Sequence, residues 1–462
     1  MLSNCLTIKF LILCSLFDCL GNIDYPKLAY ARITNLNNQF ISNIMNVESI
    51  RKDFPSLKRK RNGLPPIYFD SAGMALKPQM VIDSMTEYYT QFPSTGGHGR
   101  GNHWFASETI EKTEKAREKV AEFIHAREPS EIIWTKNTTE GMNLLTHSIP
   151  LQRGDTVITT DKEHNSNLVP WIQLKKTKGI HHIIIPSKGD NSLDLDSFSD
   201  HMNKNVKIVS MYHTSNLDGY TIPAKEIIGI AHDHGALVIL DAAQSAPHQS
   251  IDVKELDVDF LCFSIHKMCG PTGMGVLYGK SEHLANMEKF IVGGDTVTNT
   301  FSDRVEWADI PYMYEGGLQN YAGQIGAGAA VEYLQAIGMD AIREHDTQLN
   351  RVLTERIQQY PEVSIVGPPS PEQRSGILSF RIEEDGKLKV PPESISQYLD
   401  EEANIMTRSG CLCVHSWFNR RKMEIGVTRI SLYLYNTEEE IRVFLTTFDR
   451  FMDNLDSLPN RT

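Results

Sequence analysis

Seven short apolar runs, separated by turns and amphipathic stretches, are the feature that most constrains how this chain can fold. The runs are EIIWT (131–135), DTVITT (155–160), HHIIIP (181–186), VKIVSMY (206–212), ALVILD (236–241), DFLCFS (259–264) and GVLYG (275–279). Helical patterns such as EGMNLLTHSI and PAKEIIGIAHDHG lie between most of them. Near-continuous apolar strands with helical crossovers are typical of parallel sheets covered on both faces. The sequence therefore predicts an α/β fold with a mostly parallel, seven-stranded sheet.

The chain has 462 residues, which is enough for a large domain and a smaller one. We expect the large domain to span residues 66–325. A long helical pattern over 326–360 then leads into two strand-like runs, GILSFRI and TRISLYLY, and a final helical stretch. These patterns predict a small α/β C-terminal domain over 326–462, against which an N-terminal segment, 45–65, would pack.

Residues 1–44 are set apart from this fold. The apolar stretch FLILCSLFDCLG (10–21) follows Lys9 and loosely resembles the core of a signal peptide, but it is too short to span a bilayer and contains Asp18. The alternatives are a targeting presequence, a mis-assigned start codon and a structural extension. The first two together are favoured, so we expect this region to lie outside the fold.

Charge and cysteine content narrow the functional classes. The net charge is −12 and no basic block with interleaved aromatic residues is present, which argues against a nucleic-acid partner. No membrane partner is expected either. Three of the seven cysteines lie in the first twenty residues, so the cysteines form no disulfide framework and fit a reducing compartment. We expect a cytoplasmic protein, or an organelle-targeted one if residues 1–44 are a genuine presequence.

Polar residues follow the apolar runs at the places where ligands bind to such sheets, beyond the C-terminal ends of the strands. Thr138 and Thr139 follow the first run at a predicted helix start, where hydroxyl and backbone N–H groups suit a phosphate. Capping of that helix by Thr138 or Asn137 explains the same residues. His164 and Asn216 follow later runs, and each alone is compatible with an ordinary polar loop residue.

An acid and a lysine follow two further runs. Asp241 ends ALVILD, where a carboxylate is costly unless it has a partner. Lys267 stands in FSIHKMCGPTGMG, and a lysine that emerges from a buried strand can have a lowered pKa and act as a nucleophile. Pyridoxal phosphate uses these parts together, because it needs a lysine for a Schiff base, a carboxylate for its pyridinium nitrogen and a phosphate cradle. The sequence therefore predicts pyridoxal 5'-phosphate as cofactor.

Motifs between about Ile67 and about Phe451 extend this prediction to a family. They are IYFDSAGMALKP, TTEGMNLL, KEHNSNLVPW, HTSNLDG, LDAAQSAPH, FSIHKMCGPTGMGVLYGK, RSGCLC and TRISLYLYNTEEEI. With these motifs the chain resembles the class V, fold-type I pyridoxal-phosphate enzymes, and within them the Suf-type cysteine desulfurases and selenocysteine lyases. The resemblance implies a fold-type I PLP-dependent transferase fold and a homodimer.

The resemblance also implies which residues would hold the cofactor. Lys267 would form the Schiff base and later move a proton at the substrate's Cα, and Asp241 would pair with the pyridinium nitrogen. His164 would stack on the ring and act as acid or base, while Gln244 would reach the phenolic oxygen. The phosphate would be surrounded by Thr138, Thr139, Ser264 and His266. Ordinary structural roles stay open for Ser264, His266 and Gln244.

For the substrate, the resemblance implies L-cysteine held by Asn216 and Arg429, although the alternation in TRISLYLY by itself predicts an exposed arginine. Cys413 matches the family's nucleophilic cysteine, which attacks the substrate sulfur, keeps it as a persulfide and releases L-alanine. The sulfur would then pass to an acceptor protein, for iron–sulfur clusters or other sulfur-containing cofactors. The implied activity is that of a cysteine desulfurase.

The chain departs from the family pattern at several positions. Cys411 and Leu412 replace two histidines that often precede the nucleophilic cysteine. Cys411 is either a spare thiol or an apolar filler, and we prefer the filler. Leu318, in EGGLQN, falls where a threonine of the partner subunit would contact the phosphate, so that contact needs a substitute.

Two alternative functions stay open. The first keeps the cofactor but makes the protein a selenocysteine lyase, or another class V lyase, aminotransferase or epimerase in which Cys413 is incidental. The second is a metal or redox module built on Cys411, Cys413 and His415. This run supplies at most three ligands, and no second cluster with zinc-site spacing completes it. We therefore expect no metal.

Overall fold

The structure is a computed structural model that describes residues 45–96, 101–423 and 425–455. From Asn46 onward the chain forms one compact unit. Within the described ranges, no helix is both long and apolar enough to cross a bilayer. The prediction that residues 1–44 are a leader or a mis-assigned start lies outside the described residues. The division of the remaining chain at 325/326 stays a prediction.

The described strands include every one of the predicted apolar runs. In chain order the strands are β1 (Ile67–Tyr68), β2 (Ile132–Thr135), β3 (Thr156–Thr160), β4 (His181–Ile185), β5 (Val206–Tyr212), β6 (Leu237–Asp241), β7 (Phe260–Ser264), β8 (Gly275–Gly279), β9 (Val297–Thr300), β10 (Val305–Trp307), β11 (Val363–Val366), β12 (Ile377–Glu384), β13 (Lys387–Val390), β14 (Ile405–Met406), β15 (Arg408–Gly410) and β16 (Val427–Ser431).

The described helices lie between these strands and after them. In chain order they are α1 (Val47–Lys52), α2 (Gln79–Gln91), α3 (Trp104–Phe123), α4 (Thr138–Ser148), α5 (Asn165–Lys178), α6 (Leu195–His201), α7 (Ala224–Asp233), α8 (Val253–Leu256), α9 (Ser281–Leu284), α10 (Tyr321–Ile337), α11 (Met339–Ile357), α12 (Pro392–Ala403), α13 (His415–Arg420) and α14 (Glu438–Asp453). Short 3₁₀ turns cover Pro55–Lys58, Pro129–Glu131, Ile265–Lys267, Tyr312–Tyr314 and Pro371–Gln373.

Seven strands form one mixed sheet in the order β2-β8-β7-β6-β5-β3-β4. From β7 to β4 all neighbours pair in parallel, whereas β8 is antiparallel to both β2 and β7. The prediction of an α/β fold with a mostly parallel, seven-stranded sheet is therefore confirmed. Tyr212 pairs with Asp241, and Asp241 pairs with Cys262. The C-terminal ends of β5, β6 and β7 consequently lie side by side, and this edge positions the candidate site.

A second sheet is formed by the C-terminal part of the chain. Strands β11, β12, β16 and β15 pair in that order, all antiparallel, and β13 adds to β12. Helix α14 covers it because Phe444 and Phe448, one turn apart, pack with Leu378 and Phe380 of β12. The helix begins with a capping box in which Thr437 and Glu440 satisfy each other's backbone N–H groups.

Two local predictions are corrected by the structure. The helical pattern over 326–360 is divided between α10 and α11, because Gly338 adopts φ 95° and ψ 122°, a conformation that interrupts a helix and favours glycine. The run TRISLYLY is a strand only as far as Ser431. Beyond it the chain turns, since the Asn436 side chain accepts a hydrogen bond from the Tyr433 N–H at 2.8 Å.

A buried ion pair fixes α3 against the edge of the large sheet. Arg117 on α3 and Glu315 have side chains 3% and 4% exposed, and Arg117 Nη1 lies 2.7 Å from Glu315 Oε1. The same guanidinium donates to the Ile132 carbonyl at 2.7 Å, and the same carboxylate accepts from the Trp134 N–H at 2.7 Å. Removing one partner would leave the other charge buried and uncompensated.

We expect Arg117→Met to lower the free energy of unfolding by about 3–5 kcal/mol, because the Glu315 carboxylate would lose its counter-charge in a buried site. Denaturant unfolding of the full chain measures this. The matched control is Lys119→Met on the same helix, whose ion pair with Glu332 is much more exposed. That change should cost about 0–1 kcal/mol, and equal losses in both variants would contradict the argument.

Candidate active site

A cavity of about 360 Å³ lies at the C-terminal edge of the large sheet, where β5, β6 and β7 end. Such edges of parallel sheets are the usual place for a ligand, and the volume is within the range of small-molecule sites. Its lining brings together every site residue singled out from the sequence: Thr138, Thr139, His164, Asn216, Asp241, Gln244, Ser264, His266, Lys267, Cys413 and Arg429.

Asp241 and Lys267 place two buried charges in this cavity. Asp241 ends β6, and its Oδ1 accepts a hydrogen bond from the Ala243 N–H at 3.0 Å. Burial raises the pKa of Asp241, and the Ala243 N–H and the charge of Lys267 partly offset that rise. Lys267 ends the 3₁₀ turn after β7, where burial lowers its pKa to about 8 although Asp241 pulls in the opposite direction. The amine is therefore half-protonated near pH 8 and loses its proton far more easily than an ordinary lysine.

His164 faces the same cavity in its neutral form. It is the N-cap residue of α5, and its Nδ1 accepts a hydrogen bond from the Ser166 N–H at 3.1 Å. Burial is the main cause that lowers the pKa of His164 to about 3, and the charges of Lys267 and Arg429 add to the effect. Because Nδ1 acts as an acceptor, the single ring proton belongs on Nε2.

The start of α4 supplies hydroxyl and backbone N–H groups. The N-cap is Asn137, whose side chain accepts from the Glu140 N–H at 3.0 Å, so capping falls to the asparagine rather than to Thr138. Thr138 instead bonds Ser264 through two atoms, with its N–H and its Oγ1 lying 2.9 Å and 2.7 Å from the serine Oγ. Thr139 Oγ1 lies 2.6 Å from Ser166 Oγ. A helix N-terminus surrounded by several hydroxyl groups is a suitable binding site for a phosphate.

His266 and Gln244 complete the cofactor end of the lining. Burial is the main cause that lowers the pKa of His266 to about 4, so this imidazole is neutral too. Gln244 lies in a turn rather than on a helix, and its Nε2 donates to the Ala72 carbonyl at 2.8 Å. Its Oε1 is buried and has no protein partner. An amide oxygen in that position needs a ligand or water as donor.

Arg429 is buried in the middle of β16, contrary to the exposed position that the strand alternation alone predicts. Its Nη1 donates to the Asn216 carbonyl at 2.9 Å, and its Nη2 lies 3.4 Å from Asp70 Oδ1. Asp70 also pairs with the more exposed Arg408. These contacts fix the position of the guanidinium. They leave one of its donors unused, since Nε is buried and has no protein partner.

The loop between β15 and α13, residues 411–414, contains Cys413 and is called the cysteine loop below. Its backbone conformation is unusual. Leu412 and Cys413 have φ angles of 52° and 60°, which side chains rarely adopt outside constrained loops. Asn216 Nδ2 donates to the Leu412 carbonyl at 2.7 Å, and the Asn165 N–H donates to the Cys413 carbonyl at 2.8 Å. The Cys413 side chain is exposed and forms no disulfide. The loop is therefore anchored through its backbone while the thiol stays accessible.

Cys411 differs from Cys413 in its surroundings. It is partly buried and packs against an apolar cluster that contains Val414, Trp417 and Phe418. His415 begins α13, and its Nδ1 lies 3.1 Å from Asn165 Nδ2. Across the described ranges, no three or more His, Cys, Asp or Glu side chains are grouped as metal ligands. The geometry gives no support to a metal centre at this run.

Sequence reasoning missed several residues of the site. Arg408 and Tyr212 line the cavity. Asp70 does not line it, but its carboxylate pairs with both Arg429 and Arg408. The motifs IYFDSAG and RSGCLC contained Asp70 and Arg408, but nothing in a linear sequence pairs residues so far apart. Leu318 lies outside this lining, and 68% of its surface is exposed.

Comparison with known proteins gives consistent matches over most of the chain. Residues 67–444 match the family model described as aminotransferase class-V. A relative from Halalkalibacterium halodurans, named probable cysteine desulfurase, is 38% identical over 401 residues, which cover 86% of this chain and 96% of the relative. The solved structure of a cysteine desulfurase from Thermococcus onnurineus has a TM-score of 0.82 and 33% identity, and covers 89% of this chain and 98% of its own. A cysteine desulfurase from Escherichia coli has a TM-score of 0.80 and 30% identity, covering 89% of this chain and 99% of its own.

We expect Lys267 in the cofactor-free protein to react with an amine-acylating reagent with a midpoint near pH 8, because burial lowers its pKa to about 8. Asp241→Asn should move that midpoint to lower pH, since the aspartate charge raises the pKa of Lys267. Peptide-resolved mass spectrometry at a series of pH values measures both midpoints.

Lys77 is the internal control for this titration. Burial lowers its pKa to about 8 as well, and Asp241 is not among the groups that shift it. Its midpoint should therefore stay in place when Asp241 is changed. A common shift of both lysines, or no shift of Lys267, would contradict the assigned interaction.

Proposed function

Because the chain belongs to the aminotransferase class-V family, among its cysteine desulfurase members, we propose that it converts L-cysteine to L-alanine and keeps the sulfur as a persulfide on Cys413. Its sheet is that of the fold-type I enzymes in this family. One observation carries the proposal. A single cavity holds the buried pair of Lys267 and Asp241 together with the accessible thiol of Cys413.

Pyridoxal 5'-phosphate is the cofactor that these residues fit. Gln244 and Arg429 line the cavity, and the Gln244 Oε1 and the Arg429 Nε are buried without protein partners. Such atoms are normally satisfied by a ligand or by ordered water, which supports a polar occupant. The hydroxyl groups at the start of α4 suit its phosphate, and Asp241 suits its ring nitrogen. When bound, the cofactor would supply an electron sink for bond cleavage at the substrate.

The buried charges give the protein residues distinct tasks. Lys267 would hold the cofactor covalently, and an amine whose pKa burial lowers to about 8 can take and return a proton at the substrate's Cα near neutral pH. Asp241 would stay ionised by pairing with the ring nitrogen. His164, neutral and with its proton on Nε2, would cover the ring and could donate a hydrogen bond from that nitrogen.

The substrate would be oriented by its carboxylate. Arg429 has a free Nε in the cavity wall, and the Asp70 carboxylate and the Asn216 carbonyl fix the rest of the guanidinium. A charge-assisted hydrogen bond from a buried guanidinium is among the stronger polar contacts available to a protein. Asn216 also holds the Leu412 carbonyl, so substrate binding and the position of the cysteine loop depend on one residue.

Cys413 would accept the sulfur. Its thiolate attacks the substrate sulfur, so that a new S–S bond forms while the bond between the sulfur and Cβ breaks. The bonding electrons stay with Cβ, which takes up a proton and becomes the methyl group of alanine. Because Cys413 is exposed, its persulfide can then transfer the outer sulfur to a separate acceptor protein. The sulfur would serve iron–sulfur cluster or other sulfur-cofactor synthesis in the cytoplasm.

We infer that the protein acts as a homodimer. Leu318 is 68% exposed in the single chain, and Trp104 is 71% exposed, which fits apolar positions that a second copy would cover. Since Leu318 has no hydroxyl group, a contact to the phosphate from this position would have to come from Gln319 or from backbone N–H groups.

We expect Cys413→Ser to lower sulfide release from L-cysteine by about 10²-fold or more, because the hydroxyl group is a far weaker sulfur acceptor than a thiolate. The yellow colour that borohydride abolishes should remain, since Cys413 is not needed to hold the cofactor. Sulfide and alanine assays on the purified protein measure the effect. Cys411→Ser is the matched control and should keep nearly full activity, because Cys411 packs in an apolar cluster.

Lys267→Ala should abolish the borohydride-sensitive colour itself. A colourless wild-type protein that cannot be reconstituted with pyridoxal phosphate would overturn the proposed function. Full sulfide release by Cys413→Ser would instead remove Cys413 as the sulfur acceptor and favour the selenocysteine lyase or another class V reaction.

We expect Gly426→Ala to reduce sulfide release while leaving the cofactor bound. Gly426 has φ 86°, and a Cβ at this position would lie 2.1 Å from the Gly410 carbonyl carbon, so the start of the cysteine loop would have to move. Gly386→Ala is the control, because its φ is 72° but nothing lies within 4 Å of the added Cβ. Activity assays beside the cofactor absorbance separate the two effects, and similar losses in both variants would mean that strain alone is responsible.

A further inference from the structure

A buried ion pair outside the active-site cavity has no task in the reaction described above. Lys162 lies two residues after β3, and Asp218 lies in a turn that follows β5. Their side chains are 1% and 0% exposed, and Lys162 Nζ lies 2.7 Å from Asp218 Oδ2. Neither residue lines the cavity. Because desolvation offsets much of the attraction within such a pair, its presence is poor evidence for a role in stability alone.

Both charged groups make further contacts. Lys162 Nζ donates to the Asn191 carbonyl at 2.6 Å. It also lies 5.0 Å from the centre of the Tyr220 ring and 5.5 Å from the centre of the Tyr212 ring. Asp218 Oδ1 accepts a hydrogen bond from the Tyr220 N–H at 3.2 Å. The pair therefore has a well-defined geometry, which can hold the two parts of the chain that it joins at a fixed spacing.

Lys162 belongs to the short connection between β3 and α5, residues 161–165, which we call the His164 segment. One residue separates Lys162 from His164, which is the N-cap of α5 and lines the cavity. Asn165 follows as the first residue of α5. Because the segment is so short, the position of Lys162 constrains the positions of both of these residues.

Asp218 belongs to a closed turn, residues 215–219, which we call the Asn216 turn. The Gly219 N–H donates to the Ser215 carbonyl at 2.9 Å, so the three residues between them are enclosed by one hydrogen bond. Asn216 and Asp218 both lie within this turn. Fixing the carboxylate of Asp218 therefore also fixes Asn216.

The two segments supply two anchors of the cysteine loop. Asn216 Nδ2 donates to the Leu412 carbonyl at 2.7 Å, and the Asn165 N–H donates to the Cys413 carbonyl at 2.8 Å. Leu412 and Cys413 have the positive φ angles that side chains rarely adopt, so their conformation depends on these contacts. The buried ion pair joins the segments from which both anchors come.

Arg429 depends less on this connection. Its Nη1 donates to the Asn216 carbonyl at 2.9 Å, but its Nη2 also lies 3.4 Å from Asp70 Oδ1. Asp70 lies outside both segments, so Arg429 keeps one partner when the Asn216 turn moves. Substrate binding and sulfur transfer should therefore respond differently to loss of the ion pair.

We propose that Lys162 and Asp218 are positioning residues for sulfur transfer. By joining the two segments, their ion pair holds Cys413 in the orientation from which its thiolate attacks the substrate sulfur. They act through Asn165 and Asn216 and touch neither substrate nor cofactor. This inference rests on the proposed function and adds to it the contacts that aim the thiol. The effect can be large, since a misplacement of about 1 Å can cost about 10²-fold in rate.

The test uses the double variant Lys162→Met/Asp218→Asn of the full-length, cofactor-loaded protein. Both charges are removed together, so neither is left buried and uncompensated, and the new amide oxygen can still accept from the Tyr220 N–H. The variant should keep its cofactor colour and unfold at a denaturant concentration close to that of the wild type. Asp218→Asn alone should unfold at a clearly lower concentration, because the charge of Lys162 loses its partner.

Two measurements on the double variant separate positioning from stability. The rate of a single turnover, in which L-cysteine yields one alanine per chain before reductant is added, should fall about tenfold or more. The affinity for L-alanine, measured from the change that it causes in cofactor absorbance, should change by less than about twofold, because Asp70 still holds Arg429. A general loosening of the site would lower both quantities together.

Lys162→Met alone is the second variant if the double variant does not fold. A buried carboxylate can bind a proton and so lose its charge, and Asp218 keeps the Tyr220 N–H as a donor. The same split is expected, with a slower single turnover and a nearly unchanged affinity for L-alanine.

The matched control is Lys280→Met/Asp259→Asn. In this ion pair Lys280 Nζ lies 2.9 Å from Asp259 Oδ1, and Asp259 directly precedes β7, at the opposite edge of the large sheet from the cavity. Both the single-turnover rate and the affinity for L-alanine should equal those of the wild type, whatever the change in the denaturant midpoint.

A wild-type single-turnover rate in the double variant would overturn the proposal. An equal loss of rate and of alanine affinity would do so as well, and so would the same loss of rate in the control. A wild-type protein that forms no alanine from L-cysteine would instead remove the proposed function itself. The two failures are therefore distinguished by the wild-type measurement.

Discussion

Charge buried at the C-terminal edge of the large sheet is the constraint on which the rest of the structure depends. Asp241 and Lys267 are both largely withdrawn from water, and each moderates the pKa shift that burial imposes on the other. Arg429 lines the same cavity, and Asp70 pairs with it. Isolated buried charges cost several kcal/mol, so these pairs must be held together by well-packed elements. The parallel ends of β5, β6 and β7 and the strand β16 supply that support.

The cysteine loop combines a fixed base with an accessible tip. Val414, Trp417 and Phe418 are almost fully buried just after it, and Asn216 and Asn165 bind its carbonyl groups. These contacts hold the loop in a conformation with positive φ that its side chains would not adopt alone. The thiol of Cys413 nevertheless stays exposed. A sulfur carrier needs this combination, because the same atom must reach the substrate and then an external acceptor.

Two neighbouring cavities share Thr214 and Gln244 as lining residues. The first collects the strand ends, and the second lies where α11 and the segment before β12 approach the turns that contain Thr214 and Gln244. Each cavity has buried polar atoms without protein partners. Since native proteins satisfy nearly all buried polar groups, such atoms mark places where a ligand or ordered water completes the structure.

The sequence alone determined the fold class, because the apolar runs and their helical crossovers admit few other arrangements, and its motifs singled out the residues that line the cavity. It also placed Asp241 at the end of one buried strand and Lys267 shortly after another. Only the tertiary structure decided which individual side chains are buried and paired, because the hydrophobic pattern of a strand does not contain its distant contacts. Arg429 is buried although its strand pattern predicts exposure, since Asp70, more than three hundred residues earlier, neutralises it. The different surroundings of Cys413 and Cys411 likewise depend on contacts between distant segments, which no local pattern contains.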